Sequence, residues 1–251
     1  MILYEYPFNE TVRTMLRLEH LLARFAPLLS RDTALDHHHA LATLFEVMDL
    51  TSRADLKVDL LQELDRQRIL LSGYRGNPAI AEGALEGAIR RIELAHQRLN
   101  QLAGKAGQAL TANDWLMSVR SRISIPGGTC AFDLPGYHAW QHDSAERRRA
   151  DLHRWLTTLD PVAQALSVCL GLLRESASSQ VVEVRGGQFQ LSLSGPRPHQ
   201  LARLQLPRSL GLVPEISGNR LLLAVRLLRP DEDLRLKPTT EDLSLELTLC
   251  A

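Results

Sequence analysis

The stretch at 181–193, VVEVRGGQFQLSL, is where this sequence changes its structural period. Before it, apolar residues recur at steps of three and four, which is typical of amphipathic helices. Within it, apolar and polar residues alternate, which is typical of a half-buried strand. The Gly-Gly pair at its centre predicts a tight turn, so the stretch is interpreted as a β-hairpin.

The residues before this point, 1–176, are predicted to form a mainly α-helical domain. Asn9 is a suitable N-cap for a first helix, whose apolar stripe includes Val12, Met15 and Phe25. Similar periodicity predicts helices over 35–50, 54–71, 82–102 and 112–122. Two more helices are expected to begin at Ser144 and at Asp160, where a proline follows the cap.

The residues after it, 177–251, are predicted to form an antiparallel β domain. Further strands are expected at 201–206, 220–228 and 243–249, with prolines between them. A short apolar segment at 2–6 is a candidate strand that could return to the C-terminal sheet. The predicted fold class is therefore α+β, with an N-terminal helical domain followed by an antiparallel β domain.

A rigid, aromatic segment, RSRISIPGGTCAFDLPGYHAWQH, covers 120–142. Its prolines and glycines interrupt helices and central strands, so it is interpreted as a loop between helices. The two adjacent glycines are expected to let the chain reverse direction. Phe132, Leu134 and Trp140 are expected to anchor this loop in the core.

Composition excludes some classes of protein. The 251 residues carry no net charge, which argues against a general binder of nucleic acid or membranes. Residues 104–230 nevertheless hold 15 basic and 9 acidic side chains, which form either a local anion-attracting cleft or a dispersed solvated face. No apolar run reaches transmembrane length and no secretory signal opens the chain, so a cytoplasmic protein is expected.

The cysteines favour no disulfide framework, zinc site or catalytic centre. Three of them are widely spaced, and Cys169 falls in an apolar helical run where a small core residue is expected. Cys130, Asp133 and His138 have the side chains of a thiol nucleophile with its base, but no nucleophile motif surrounds them. The sequence therefore predicts no enzyme activity and no cofactor.

Two runs of like residues are interpreted as solvated. Adjacent residues on a helix point about 100° apart, so the histidines at 37–39 cannot converge on one metal ion. They are expected at an exposed helix start, and no metal site is predicted. The arginines at 147–149 are likewise expected on a solvated helix face.

Arg226 is the most informative single charge. Strand alternation places it on the same face as Arg220 and Leu222, while Leu223 and Val225 take the opposite face. Because both faces are largely apolar, one is expected to pack on the helical part. An arginine there needs either a carboxylate of the same chain or a bound ligand, and the sequence leaves both open.

Several long runs resemble one family. They are YEYPFNETVRTMLRLE at 4–19, DLLQELDRQR at 59–68, VRSRISIPGGTCAFDLPGYHAW at 119–140, LDPVAQALSVCLGLLRES at 159–176 and PEISGNRLLLAVRLL at 214–228. In these runs the chain is similar to the ZapD family of bacterial cell-division proteins. The resemblance implies a helical and a β domain, a homodimer, and binding of the C-terminal tail of FtsZ, with cross-linking of its protofilaments at the division ring. It implies no catalysis, no small-molecule substrate, and a cytoplasmic protein recruited to the septum at mid-cell.

The resemblance also implies a basic cleft for the FtsZ tail. Matched position by position, the candidate contacts are Arg17, Arg53, Arg120, Arg122, His138 and Arg226. Arg120 and Arg122 have a structural alternative, as does His138. Two basic positions of the family are Asp114 and Leu222 here, and neighbouring Arg220 is a candidate substitute for the second. The alternative function is a scaffold that binds another division component without direct FtsZ contact.

Overall fold

The computed structural model describes residues 1–53, 55–177, 179–193 and 198–251, with the side chain of Arg53 outside this description. The chain divides into two compact units. The helical unit comprises Thr14–Cys169, and the β unit comprises Met1–Arg13 with Leu170–Ala251. The divisions fall inside the first and the last long helix.

Seven of the described helices follow the predicted helical segments, and the short helices at 108–111 and 135–141 were not predicted. They are α1 (Glu10–Ser30), α2 (Ala34–Arg53), α3 (Leu56–Ser72), α4 (Glu82–Gln101), α5 (Gln108–Thr111), α6 (Asp114–Ile123), α7 (Pro135–Gln141), α8 (Ala145–Thr157) and α9 (Asp160–Glu175). Two predicted caps are confirmed. Asn9 Oδ1 accepts the Val12 amide at 2.8 Å, and Ser144 Oγ accepts the Arg147 amide at 3.2 Å.

The core of the helical unit is built from the apolar stripes of its helices. Its fully buried side chains include Met15, Leu18 and Phe25 of α1, Leu41 and Leu44 of α2, Leu60 and Leu64 of α3, Ile89 and Ile92 of α4, and Leu116 and Val119 of α6. Cys169 is also buried, as expected of a core residue, and burial raises the pKa of its thiol to about 12.

The segment predicted as a loop over 120–142 is helical at both ends. Helix α6 runs to Ile123, close to the predicted helix end at 122, whereas α7 covers Pro135–Gln141, so the loop prediction was wrong over 135–141. Proline fits the first turn of a helix because its missing N–H has no helical partner there. The reversal by glycine is confirmed: Gly127 has a φ of +71°, and a Cβ on Gly128 would lie 2.5 Å from the Arg122 carbonyl oxygen.

Phe132 does not anchor this loop, contrary to the prediction. Leu134 and Trp140 are buried, but Phe132 is 84% exposed. The amides of Asp133 and Leu134 both donate to the Cys130 carbonyl oxygen, each at 3.0 Å. In this tight turn the side chain of Phe132 faces solvent.

The β unit contains two antiparallel sheets. Its strands are β1 (Ile2–Pro7), β2 (Ser179–Val184), β3 (Gln188–Ser192), β4 (Leu201–Leu206), β5 (Val213–Gly218), β6 (Leu222–Pro230), β7 (Leu236–Pro238) and β8 (Leu243–Cys250). The first sheet has the order β1-β4-β8-β2, so the N-terminal strand does join it. In the second sheet, β6 pairs with β5 along one edge and with β3 and β7 along the other. Side chains of both sheets share one apolar core.

The predicted hairpin at 181–193 is present only as a turn. The amide and carbonyl groups of Arg185 and Gln188 exchange hydrogen bonds of 3.0 Å, with positive φ at Gly186 and Gly187. Beyond the turn the strands part, because β2 pairs with β8 in the first sheet and β3 with β6 in the second. The carbonyl of Gly187 already accepts the Leu227 amide at 2.8 Å. The prediction of a paired hairpin was therefore wrong.

No single helix among the described residues is long and apolar enough to span a membrane. Taken together, the neighbouring helices α8 and α9 are long and apolar enough to span one, but a bend of 63° separates them. Core helices often have this length and apolar composition, and Leu152 and Trp155 of α8 are indeed buried in the core.

Candidate functional site

The seven candidate contact residues are distributed over both units. The helical unit holds Arg17, Arg53, Arg120, Arg122 and His138, and the β unit holds Arg220 and Arg226. Arg17 is exposed on α1. Arg53 is the last residue of α2, and its side chain lies outside the described part of the chain.

Arg120 borders a groove on the helical unit. Its guanidinium, on α6, forms an ion pair with Asp49 of α2. The groove has a volume of about 320 Å³ and is lined by Met48, Ser52, Lys105, Ala106, Gly107, Gln108, Thr111 and Arg120. We name it the α2–α6 groove. Sequence reasoning missed Lys105, which belongs to none of the runs that carry the family resemblance.

Arg122, two residues further along α6, has a different environment. Its guanidinium lies 3.6 Å from the Asp133 carboxylate, and about half of its side chain is exposed. The pair joins α6 to the loop at 124–134. This contact agrees with the structural alternative for Arg122, although its exposed half remains accessible to a ligand.

His138 is held at the surface by the burial of its neighbours on α7. Tyr137 and Trp140 are buried and pack in one aromatic cluster with Trp115. The Tyr137 hydroxyl lies 2.7 Å from Nδ1 of His38, and burial raises the pKa of Tyr137 to about 12. Because this face of α7 is fixed in the core, the opposite face presents His138 to solvent.

Arg226 lies on the solvent face of the second sheet. The alternation predicted for its strand is confirmed, because Leu223 and Val225 are buried and Arg226 is exposed. Leu223 and Val225 belong to the core that the two sheets share. Directly across the β5–β6 pairing, Glu215 lies 3.6 Å from the Arg226 guanidinium, with both side chains more than half exposed.

Arg220 lies in the turn before β6, although the sequence predicted it within the strand. Asn219 builds this turn, since its Oδ1 accepts the amides of Leu221 and Leu222 at 2.8 and 3.0 Å. The turn exposes Arg220 and leaves Leu221 75% exposed. Among the described residues, no carboxylate lies within 4 Å of the Arg220 guanidinium.

Other arginines of the β unit are engaged in structural contacts. Glu5 of β1 accepts two hydrogen bonds from Arg174, at 2.9 and 2.7 Å, and one from Arg203 at 3.0 Å. All three side chains are largely buried. The weak, exposed Arg226–Glu215 pair differs from this triad, because an incoming carboxylate could replace Glu215 at little cost.

The predictions for the histidine and arginine runs were wrong at one position each. His37 is completely buried, and Arg148 is 5% exposed. Arg148 Nε donates to His37 Nδ1 at 2.8 Å, and its other nitrogens donate to the carbonyl oxygens of Asp32, Gln141 and Asp143. Burial, followed by the charge of Arg148, lowers the pKa of His37. The two residues are 111 positions apart in the sequence, so no local sequence pattern could predict this pair.

The three cysteines are free, and Cys130 is exposed. Within the described ranges no hydrogen bond joins the Cys130 thiol to Asp133 or His138. Asp133 pairs instead with Arg122, and the His138 ring lies 4.4 Å from the ring of His142. Across all the residues that the structure describes, no group of three histidine, cysteine or carboxylate side chains is placed to hold a metal ion.

Comparison with known proteins shows the family of this chain. The family model described as "ZapD: Cell division protein" matches residues 16–226, a range that includes all seven candidate residues. This chain belongs to the ZapD family of cell-division proteins. A ZapD of Ralstonia pickettii is 52% identical over the whole chain and 99% of the relative's length. ZapD proteins of Ralstonia nicotianae and Cupriavidus taiwanensis are 51% and 50% identical over the same shares.

Proposed function

We propose that this protein binds the C-terminal tail of FtsZ and, as a homodimer, cross-links FtsZ protofilaments into bundles at the division ring. The observation that carries the proposal is membership of the ZapD family along the whole chain, with the candidate arginines inside the matched range. The protein acts without catalysis, in the cytoplasm, and is recruited to the septum through FtsZ.

The accessible cations support a partner with carboxylates. Arg220 is exposed and has no carboxylate within 4 Å among the described residues, and Arg226 has only the exposed Glu215. Arginine forms two parallel hydrogen bonds with a carboxylate, which favours acidic peptide side chains over neutral ones. Each unit also has an exposed apolar side chain: Leu221, next to Arg220, in the β unit, and Phe132, on the loop at 124–134, in the helical unit. An extended tail with both acidic and apolar residues fits these two kinds of surface.

A single tail would bind weakly, and the assembly compensates for this. Ordering a disordered peptide costs conformational entropy, so one site has low affinity. A dimer offers two sites, and a filament offers many tails. Effective concentration can then raise avidity by about 10²–10⁴ without any new contact. Cross-linking follows if the two sites of one dimer engage tails of different filaments.

Cosedimentation with FtsZ filaments tests this proposal. The protein is expected to pellet and bundle full-length FtsZ, and to do neither with FtsZ that lacks its C-terminal tail. Equal pelleting with both forms would refute tail binding while leaving FtsZ as a partner. Absence of pelleting with either form would refute the FtsZ partnership and favour a scaffold for another division component.

Self-association is tested separately, by sedimentation velocity of the protein alone at the concentrations used for bundling. A monomer that still bundles filaments would refute the proposed role of the homodimer.

A further inference from the structure

The α2–α6 groove contains Arg120, a candidate contact of the expected cleft, together with lining residues that the family resemblance does not indicate, among them Lys105. Its apolar lining includes Met48 of α2 and Ala106. Its polar lining includes Ser52 and two residues of α5, Gln108 and Thr111. A mixed lining of this kind suits an extended segment with one apolar and one polar side chain.

Lys105 lies in a hydrogen-bonded turn that borders the groove. Gly104 and Gly107 on either side of it have φ values of +66° and +77°, a conformation that other residues rarely adopt. The Lys105 amide donates to Gln108 Oε1, and the Gln108 amide donates back to the Lys105 carbonyl oxygen, each at 3.1 Å. Because this backbone is already ordered, a ligand of Lys105 need not order it on binding.

The charges of the groove are incompletely balanced. Arg120 has Asp49 as its partner, and about half of the Asp49 side chain is exposed. Lys105 is exposed, and the described residues place no carboxylate within 4 Å of its ammonium group. Among the described residues, Lys105 and Arg120 are the cations that line the groove and Asp49 is the carboxylate that pairs with one of them, which leaves one positive charge without a counterion.

We propose that the α2–α6 groove binds an acidic side chain of the FtsZ tail together with an adjacent aliphatic one. Lys105 pairs with the carboxylate, and Met48 and Ala106 contact the aliphatic group. This assignment rests on the proposed function, because the FtsZ tail is its ligand. It adds Lys105 to the recognition residues and gives the tail a defined pocket in addition to a set of exposed arginines.

A binding titration with a synthetic FtsZ tail peptide and the full-length protein tests the assignment. Lys105→Ala is expected to weaken binding about threefold and Lys105→Glu about tenfold, since the pair is exposed to solvent. Arg91→Glu is the matched control: it makes the same charge change at an exposed position of α4, outside the groove. Ser52→Trp obstructs the groove without changing its charge and is expected to weaken binding about tenfold. Circular dichroism verifies that each variant is folded.

The outcomes separate this assignment from the proposed function. If the peptide binds the wild-type protein and Lys105→Glu leaves its affinity unchanged, the groove assignment is wrong and the proposed function stands. Equal losses in Lys105→Glu and Arg91→Glu would show that only long-range attraction is measured, and full affinity in Ser52→Trp would show that the peptide does not enter the groove; either result overturns the groove assignment. If the peptide does not bind the wild-type protein, the proposed function and the groove assignment both fail.

Discussion

Replacing Arg148 by alanine is expected to destabilise the helical unit by about 3–5 kcal/mol, because it leaves buried acceptors without a donor. Arg148 donates to His37 Nδ1 at 2.8 Å, to the Asp32 carbonyl at 2.6 Å and to the Gln141 carbonyl at 3.1 Å, and also to Asp143. Hydrogen bonds from a charged donor contribute roughly 1.5–3 kcal/mol each. The carbonyl groups are partly accessible and regain water, which limits the total.

The neighbouring arginines provide matched controls in the same helix. The Arg147 side chain is 66% exposed, and its guanidinium lies 3.8 Å from the Asp151 carboxylate. Arg147→Ala is therefore expected to cost at most about 0.5 kcal/mol. Arg148→Lys is expected to cost less than Arg148→Ala but more than the control, because one ammonium group cannot reach all four acceptors.

Tryptophan fluorescence during urea unfolding is the appropriate assay. The chain has three tryptophans, Trp115, Trp140 and Trp155, and all belong to the helical unit. The signal therefore reports this unit and is not mixed with unfolding of the β unit. A loss below about 1 kcal/mol for Arg148→Ala, or an equal loss for Arg147→Ala, would refute the structural role of Arg148.

Three further predictions concern acid stability, peptide affinity and the loop at 124–134. The pKa of His37 is lowered in the folded state, so the unfolded chain binds more protons below the ordinary histidine value of about 6.5. The free energy of unfolding of the helical unit should therefore fall as the pH drops below about 6.5, and it should fall less steeply in His37→Asn. An equal pH dependence of the melting temperatures of the two proteins would contradict this. Arg226→Glu should weaken binding of the FtsZ tail peptide about tenfold at low salt and less at high salt, whereas Arg208→Glu, at an exposed position of the same unit, should have little effect. Unchanged calorimetric affinity would remove Arg226 from the site. Phe132→Ala should alter the free energy of unfolding by less than about 0.5 kcal/mol, because Phe132 is exposed. Leu134→Ala should lower it by about 2–4 kcal/mol, because Leu134 is buried. Similar losses of stability in the two variants would indicate that Phe132 does anchor the loop.

Much of the secondary structure was predictable because it depends on neighbours a few positions apart. The three- and four-residue spacing of apolar side chains predicts the helices, and the N-caps at Asn9 and Ser144 depend on a side chain and an amide three residues later. Among the candidate contacts, exposure of Arg226 also followed from strand alternation, since Leu223 and Val225 occupy the buried face.

The α2–α6 groove was not predictable in this way. Met48, Lys105 and Arg120 lie on three separate segments, and only packing of α2 against α6 brings them together. No local spacing could indicate that Lys105 borders a pocket. The sequence also could not show which arginines have partners, since Glu5 meets Arg174 and Arg203 across 169 and 198 residues.

The sequence by itself determined where the long helices and most of the strands form, where the period changes and which family the chain resembles, but it did not indicate the short helices α5 and α7 or the strands β5 and β7. Only the tertiary structure decided that β2 and β3 join different sheets, that His37 and Arg148 are buried together, and that Phe132 faces solvent. The physical reason is that these outcomes depend on competition between distant partners. A strand pairs with whichever edge best buries its side chains, and a polar side chain is buried only where distant residues satisfy its hydrogen bonds.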